Sequence, residues 1–122
     1  MAKRAPKPAP PPASLTKALR AAAVAEDRRA EDVIILDLRD QTLVTDYFVI
    51  CTGTSRVQIR AIIEAVAEAL ADHGPRGLRE GDESAQWVLL DHGDVVVHVF
   101  GPEARAFYRL ERLWAEATVV SR

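Results

Sequence analysis

Apolar and polar positions along the chain fall into two kinds of repeat. Ile59, Ile62, Ile63, Val66 and Leu70 recur at i, i+3, i+4, i+7 and i+11, which predicts an amphipathic helix. Ser55, followed three residues later by Gln58, fits a capping-box start, and His73-Gly74-Pro75 fits a stop. A more modest stripe of Leu15, Leu19 and Ala22–Ala23 predicts a first helix from a Ser14 cap to about Asp27. Between these helices, Val33–Leu36 reads as a short buried strand, Asp37–Val44 as a polar connection and Tyr47–Cys51 as a second strand. Gly77–Arg79 predicts a short edge strand and Glu80–Ala85 a polar loop. Trp87–Leu90 and Val95–Phe100 are apolar runs on either side of Asp91-His92-Gly93-Asp94, the pattern of a β-hairpin. Gly101-Pro102 then opens a last helix with Phe107, Leu110 and Trp114 along one side. The order α-β-β-α-β-β-β-α predicts the α/β class: one compact domain with a mixed five-stranded sheet packed with helices.

Composition changes this picture at the N-terminus. Residues 1–13 hold five of the seven prolines and the cations Lys3, Arg4 and Lys7. Such a segment cannot form a helix or a sheet and is expected to be a disordered or polyproline-like basic tail. Residues 14–122 are then the folded domain. The tail has three of the 16 basic side chains and none of the 18 acidic ones, so the body has 13 basic against 18 acidic, net −5 with His neutral. An acidic body argues against sequence-specific nucleic-acid binding and suits a basic protein partner. No apolar run approaches the roughly 20 residues of a membrane span, and no apolar h-region follows the first cations. With a lone Cys51 in an apolar strand, a cytoplasmic protein with no membrane contact is expected.

Three constellations could carry chemistry. Thr52-Gly53-Thr54-Ser55 stands at a strand-to-helix turn, where free N–H groups can hold phosphate. It lacks the Lys and the spaced glycines of known phosphate loops, and Ser55 as an ordinary cap is favoured. Asp37, Asp40, Asp91 and Asp94 with His98 could hold a divalent metal, which makes a small metal-dependent nucleotidyltransferase-like enzyme the alternative reading. Aspartates beside a Gly turn more commonly bond their own backbone. His98 falls on the strand face of Val96 and Phe100, where a core or half-buried histidine with one hydrogen bond is the commoner outcome. No metal, cofactor or catalytic residue is assigned. The third group is aromatic and acidic: Trp87, Tyr108 and Trp114 lie close in sequence to Asp91, Asp94 and Glu111. Trp and Tyr are common interface anchors, and carboxylates beside them can meet Arg or Lys.

Thr45-Asp46-Tyr47-Phe48-Val49-Ile50, Thr52–Ser55 with Gln58, Trp87–Phe100 and Phe107–Trp114 together resemble the ribosomal silencing factor family, also called Iojap-like. The resemblance runs from about Leu15 to Ala117. It implies a nucleotidyltransferase-like α/β fold without enzymatic activity. It also implies binding to the large ribosomal subunit through a basic ribosomal protein at the subunit interface, the fourteenth large-subunit protein. Occupying that site would block joining with the small subunit and repress translation under nutrient limitation. Free members are expected to be able to form homodimers. Trp87, Asp91, Asp94, Tyr108 and Glu111 are the first candidates for the partner surface; Asp46, Tyr47 and Trp114 are second-tier, because they can also serve the fold. His92 stands where the family often has Tyr, and Arg109 where a small polar or acidic residue is common; His92 is expected to add mild pH sensitivity to binding.

Overall fold

The computed structural model describes residues 13–74, 77–82, 84 and 86–122. Of the Pro-rich segment expected over residues 1–13, residues 1–12 lie outside these residues and Ala13 opens the first helix. Helix α1 spans Ala13–Asp27, strand β1 Glu31–Asp37, β2 Tyr47–Thr52, helix α2 Arg56–Ala69, β3 Leu78–Asp82, β4 Trp87–Asp91 and β5 Val95–Phe100. Two short helices, α3 (Pro102–Tyr108) and α4 (Leu110–Leu113), precede a two-residue strand β6, Thr118–Val119. The strands form one sheet in the order β3-β4-β5-β2-β1-β6. Only β2 and β5 run parallel; the other four pairings are antiparallel.

The sheet therefore has six strands rather than the five expected. β6 pairs with Leu36 and Asp37 of β1. Two residues carry no readable period, so this strand exists only because β1 offers an open edge. β3 is the edge strand predicted, but it runs on through Asp82 into the stretch expected to be loop. Gly81 permits this, because its φ of 82° and the approach of the Trp87 carbonyl leave no room for a Cβ.

α2 forms where its apolar stripe predicts, and Ile59, Ile62, Ile63 and Val66 are buried. Ser55 is its N-cap and accepts from the Gln58 backbone N–H at 3.1 Å. The return arm of the predicted box is shifted by one residue: Gln58 Oε1 accepts from Thr54 N and Oγ1, at 2.6 and 2.9 Å. Ser55→Ala is expected to cost about 1 kcal/mol, read as a shift in the urea midpoint with an unchanged slope. Ser14 behaves differently. It lies inside the first turn of α1, and its hydroxyl donates to Asp46 Oδ2 at 2.8 Å, joining α1 to the start of β2 instead of capping the helix.

The two sheet faces are covered unequally. α1 and α2 close one face over Ile35, Tyr47, Val49, Cys51, Val88, Leu90, Val95, Val97 and Val99. The other face carries Leu36, Ile50 and Phe100, with Leu38, Phe48 and Trp87 packed beside them, and among the described residues the C-terminal segment lies over it. That segment is not the single helix expected. Arg109 adopts φ 48°, ψ 51°, which ends α3 and restarts the chain as α4. The cause is tertiary. Arg105 Nη1 donates to the Asp32 carbonyl and Thr52 Oγ1, while its Nε donates to Glu111 Oε2 at 3.2 Å. On an unbroken helix residues six apart point in different directions, so the chain must turn for this pair to meet. Leu110 and Trp114 consequently pack on the sheet, whereas Phe107 is left outside, 79% exposed.

Candidate partner surface

Strand register sets which side chains share the open face. Trp87 pairs with Phe100, Leu89 with His98 and Asp91 with Val96, and in turn Phe48 pairs with Val96 and Ile50 with His98. Paired residues project to the same side, so an aromatic cluster assembles there. The Trp87 ring lies 4.9 Å from Phe100 and 4.6 Å from Tyr108 between centroids. Phe48 meets His98 edge-on at 4.5 Å and Trp114 at 6.0 Å. Trp87 and Trp114 are both half-buried and Tyr108 is 49% exposed. Three of the aromatic candidates thus converge around Phe48, His98 and Phe100.

His98 organises this cluster. Its Nδ1 accepts from Trp87 Nε1 at 3.2 Å. An indole N–H can only donate, so His98 Nδ1 carries no proton and the ring is neutral with its hydrogen on Nε2. Burial pushes its pKa down to about 4, and the Asp91 charge only partly opposes this. Of the core or half-buried histidine expected, the core form is what occurs: His98 is 5% exposed and holds the one hydrogen bond from Trp87.

The carboxylates do not join the aromatics as one patch. Asp91 lies on the open face by register and is exposed; its Oδ1 accepts from Gly93 N at 2.9 Å across the hairpin turn. Gly93 at φ 82° and the 2.9 Å bond from His92 N to Val95 O close a two-residue turn, Gly93-Asp94. Asp94 faces α1. Lys17 Nζ donates to its Oδ1 at 2.6 Å, and to His92 Nδ1 at 2.8 Å. The Asp94 backbone carbonyl accepts from both Asp46 N and Tyr47 N. Asp46 is tied to Ser14, so Asp46 and Asp94 together anchor α1 and the entry to β2. Glu111 sits at the opposite end of the sheet, held by Arg105. Tyr47 is fully buried beneath α1 and α2 and presents no surface to a partner, which corrects its place among the candidates.

His92, expected to add mild pH sensitivity from the hairpin turn, is buried. Desolvation pushes its pKa down, and the Lys17 cation pushes it further. Lys17 itself has no signal in the sequence, since it interrupts an alanine-rich helix as any solvated lysine would. Among the described residues no three His, Cys, Asp or Glu side chains are placed to hold a metal ion. Of the carboxylates on which the enzyme alternative rests, Asp37 is engaged by Arg39, Asp91 by the Gly93 N–H and Asp94 by Lys17. Cys51 is buried and its thiol is pushed up to about 12 by burial, as suits an inert core cysteine. No helix among the described residues is long and apolar enough to cross a membrane.

Residues 11–122 match the family described as ribosomal silencing factor during starvation. The ribosomal silencing factor RsfS of Bacillus subtilis is 46% identical over 98 residues, covering 80% of this chain and 83% of that protein. The chloroplastic protein Iojap of Zea mays is 36% identical over 110 residues, covering 87% of this chain and 46% of its own longer length. A mouse relative, 32% identical over 89 residues (70% of this chain, 39% of that one), is named mitochondrial assembly of ribosomal large subunit protein 1. Among solved structures, a Chromobacterium violaceum protein superposes with a TM-score of 0.78 at 36% identity, over 83% of this chain and 85% of that one. With its sheet, its hairpin and its C-terminal aromatic segment in place and nearly all its length matched, the chain belongs to the ribosomal silencing factor family.

Proposed function

We propose that this protein binds the large ribosomal subunit in the cytoplasm, through a basic ribosomal protein on the face where the small subunit docks, and so represses translation when nutrients are limiting. The observation that supports this reading most is the open aromatic face, with Trp87, Tyr108 and Trp114 at its centre and Asp91 on the same side, in a member of this family. Half-exposed Trp and Tyr provide rigid apolar anchors, and an acidic neighbour complements a basic partner. The mechanism is steric. A domain of this length has a radius of gyration of about 13–14 Å, which for a compact sphere is roughly 35 Å across, too thick for two rigid subunits to close over.

The reading is tested by sedimenting purified subunits, with and without the protein, while magnesium drives them together. Co-sedimentation with the large subunit and accumulation of free subunits support it; normal joining with no co-sedimentation refutes it. Trp87→Ala is expected to weaken large-subunit binding about 30-fold or more, equivalent to about 2 kcal/mol. Circular dichroism must show that the variant remains folded for the loss to be assigned to the interface. Asp91→Asn keeps an acceptor for Gly93 N and removes only the charge, so it is expected to lower the association rate and its salt dependence more than the dissociation rate. Unchanged binding in both variants places the contact surface elsewhere.

A further inference from the structure

Histidine is an unfavourable residue for the place that His98 occupies. Its strand is otherwise Val95-Val96-Val97 and Val99-Phe100, its side chain is buried, and its Nε2 has no hydrogen-bond partner among the described residues. A leucine there would give up no hydration. What the imidazole has that leucine lacks is an acceptor aimed at Trp87. Trp87 pairs with Phe100 and Leu89 with His98, so His98 is the diagonal neighbour of Trp87 on the open face. Diagonal neighbours stand about 7–8 Å apart, within reach of an aromatic ring. The 3.2 Å bond from Trp87 Nε1 to His98 Nδ1 spans that diagonal, and Phe48, edge-on against the imidazole, holds His98 in turn.

We propose that His98 is a positioning residue of the partner surface: its Nδ1 fixes the Trp87 indole with the N–H turned inward and the ring presented to the ribosomal protein. This rests on the partner reading of the open face given above. The torsion that turns an indole about its Cβ–Cγ bond is broad and roughly two-fold, so packing on Phe100 and Tyr108 alone leaves two orientations to choose between. The acceptor makes the choice. An indole N–H shut away from water without an acceptor is strongly disfavoured, so without Nδ1 the ring turns to hydrate it. Apparent affinity then falls with the fraction of molecules that keep the competent orientation. The same bond restricts the contact itself. Trp87 has one donor and spends it inside the protein, so the partner meets its ring with an aliphatic or cationic side chain and not with a hydrogen-bond acceptor.

The test is a double-mutant cycle on the full chain, read as affinity for purified large subunits. His98→Leu removes the acceptor and keeps the site apolar; His98→Asn restores one, because its amide oxygen stands near the place of Nδ1. His98→Leu is expected to bind about 10-fold more weakly, His98→Asn to recover most of that loss, and His98→Leu to change affinity less than about 2-fold in the Trp87→Ala background. His98→Val carries the same expectation should His98→Leu fail to fold. An equal loss in both backgrounds overturns the proposal, since His98 would then act without Trp87; so does natural affinity in His98→Leu. Exchange of the Trp87 indole proton with solvent is followed in parallel, without ribosomes. It is expected to be slow in the natural protein and in His98→Asn and fast in His98→Leu; equal rates in all three overturn the proposal. If Trp87→Ala itself binds with natural affinity, the partner reading fails, and a slow indole proton then marks the bond as packing alone, so the proposal falls with that reading.

Discussion

Replacing Lys17 with methionine is expected to destabilise the fold by about 2 to 3 kcal/mol and to lower the melting temperature by about 10 °C. The Lys17 side chain is 8% exposed and its ammonium binds Asp94 Oδ1, His92 Nδ1 and the His92 carbonyl. Methionine fills the same space but donates nothing, so a buried histidine nitrogen and a carboxylate lose their donor together. Breaking a buried pair by removing one partner typically costs about 3–5 kcal/mol, and the estimate is reduced here because Asp94 is 40% exposed and partly solvated. Asp94→Asn should be milder, since its amide oxygen still accepts from Lys17. Urea unfolding of the three proteins checks this; a loss below about 0.5 kcal/mol in Lys17→Met would show that the network adds specificity without stability. The experiment also bears on the partner surface. A ribosomal cation that seeks Asp94 must displace Lys17, whereas Asp91 is open to approach.

Acid should weaken the protein well above the range where carboxylates protonate. His98 is neutral in the fold with its pKa pushed down from 6.5 to about 4, so between these values the unfolded chain holds a proton that the folded one refuses. The stability gained from the neutral ring is fully present above about pH 6.5 and is lost as pH falls towards 4. One such group corresponds to about 2 kcal/mol lost by pH 5 and about 3 kcal/mol by pH 4. His92, also pushed down, adds a loss of the same sign. Asp37 and Glu26 are held below their usual range by Arg39 and Arg122, so their contribution is lost only at lower pH. Unfolding free energy measured from pH 7.5 to 4.5 should fall with a slope that His98→Gln flattens, because the amide oxygen can still accept from Trp87 but does not titrate. An equal slope in both proteins would mean that His98 protonates in place. Binding at pH 6 and 8 should by contrast differ little through His92, which is buried rather than exposed at the turn.

What the sequence announces is what has local causes. α2 is legible because its apolar stripe and its Ser55 cap lie within one short stretch. The hairpin is legible for the same reason: alternation and a Gly turn are neighbours. So is the position of His98, since a strand's two-residue period places it with Phe100 whatever lies elsewhere. The misreadings have distant causes. The break at Arg109 is set by the grip of Arg105 on Thr52 and Asp32, and β6 by an edge of β1 more than eighty residues earlier. The acidic candidates divide for a similar reason. Lys17 reaches across 77 positions to claim Asp94, and no pattern around either residue signals it. The aromatic candidates converge because Trp87, Phe100 and Tyr108 are close in the chain as well as in space.

The parallel pairing of β2 with β5 has a kinetic consequence. Tyr47 bonds beside Val95 and Thr52 beside Phe100, so the centre of the sheet closes only when segments about 50 positions apart meet. A chain emerging during synthesis can make α1, the β1–β2 pair and α2, yet the wall on which both helices rest is incomplete until Val95, Val97 and Val99 arrive. The first half is therefore not a folding unit in its own right. Folding should be slow relative to a helical bundle of similar length, with the transition state waiting on the late hairpin. Until then the free edge of β2 is exposed to whatever other strand it meets first.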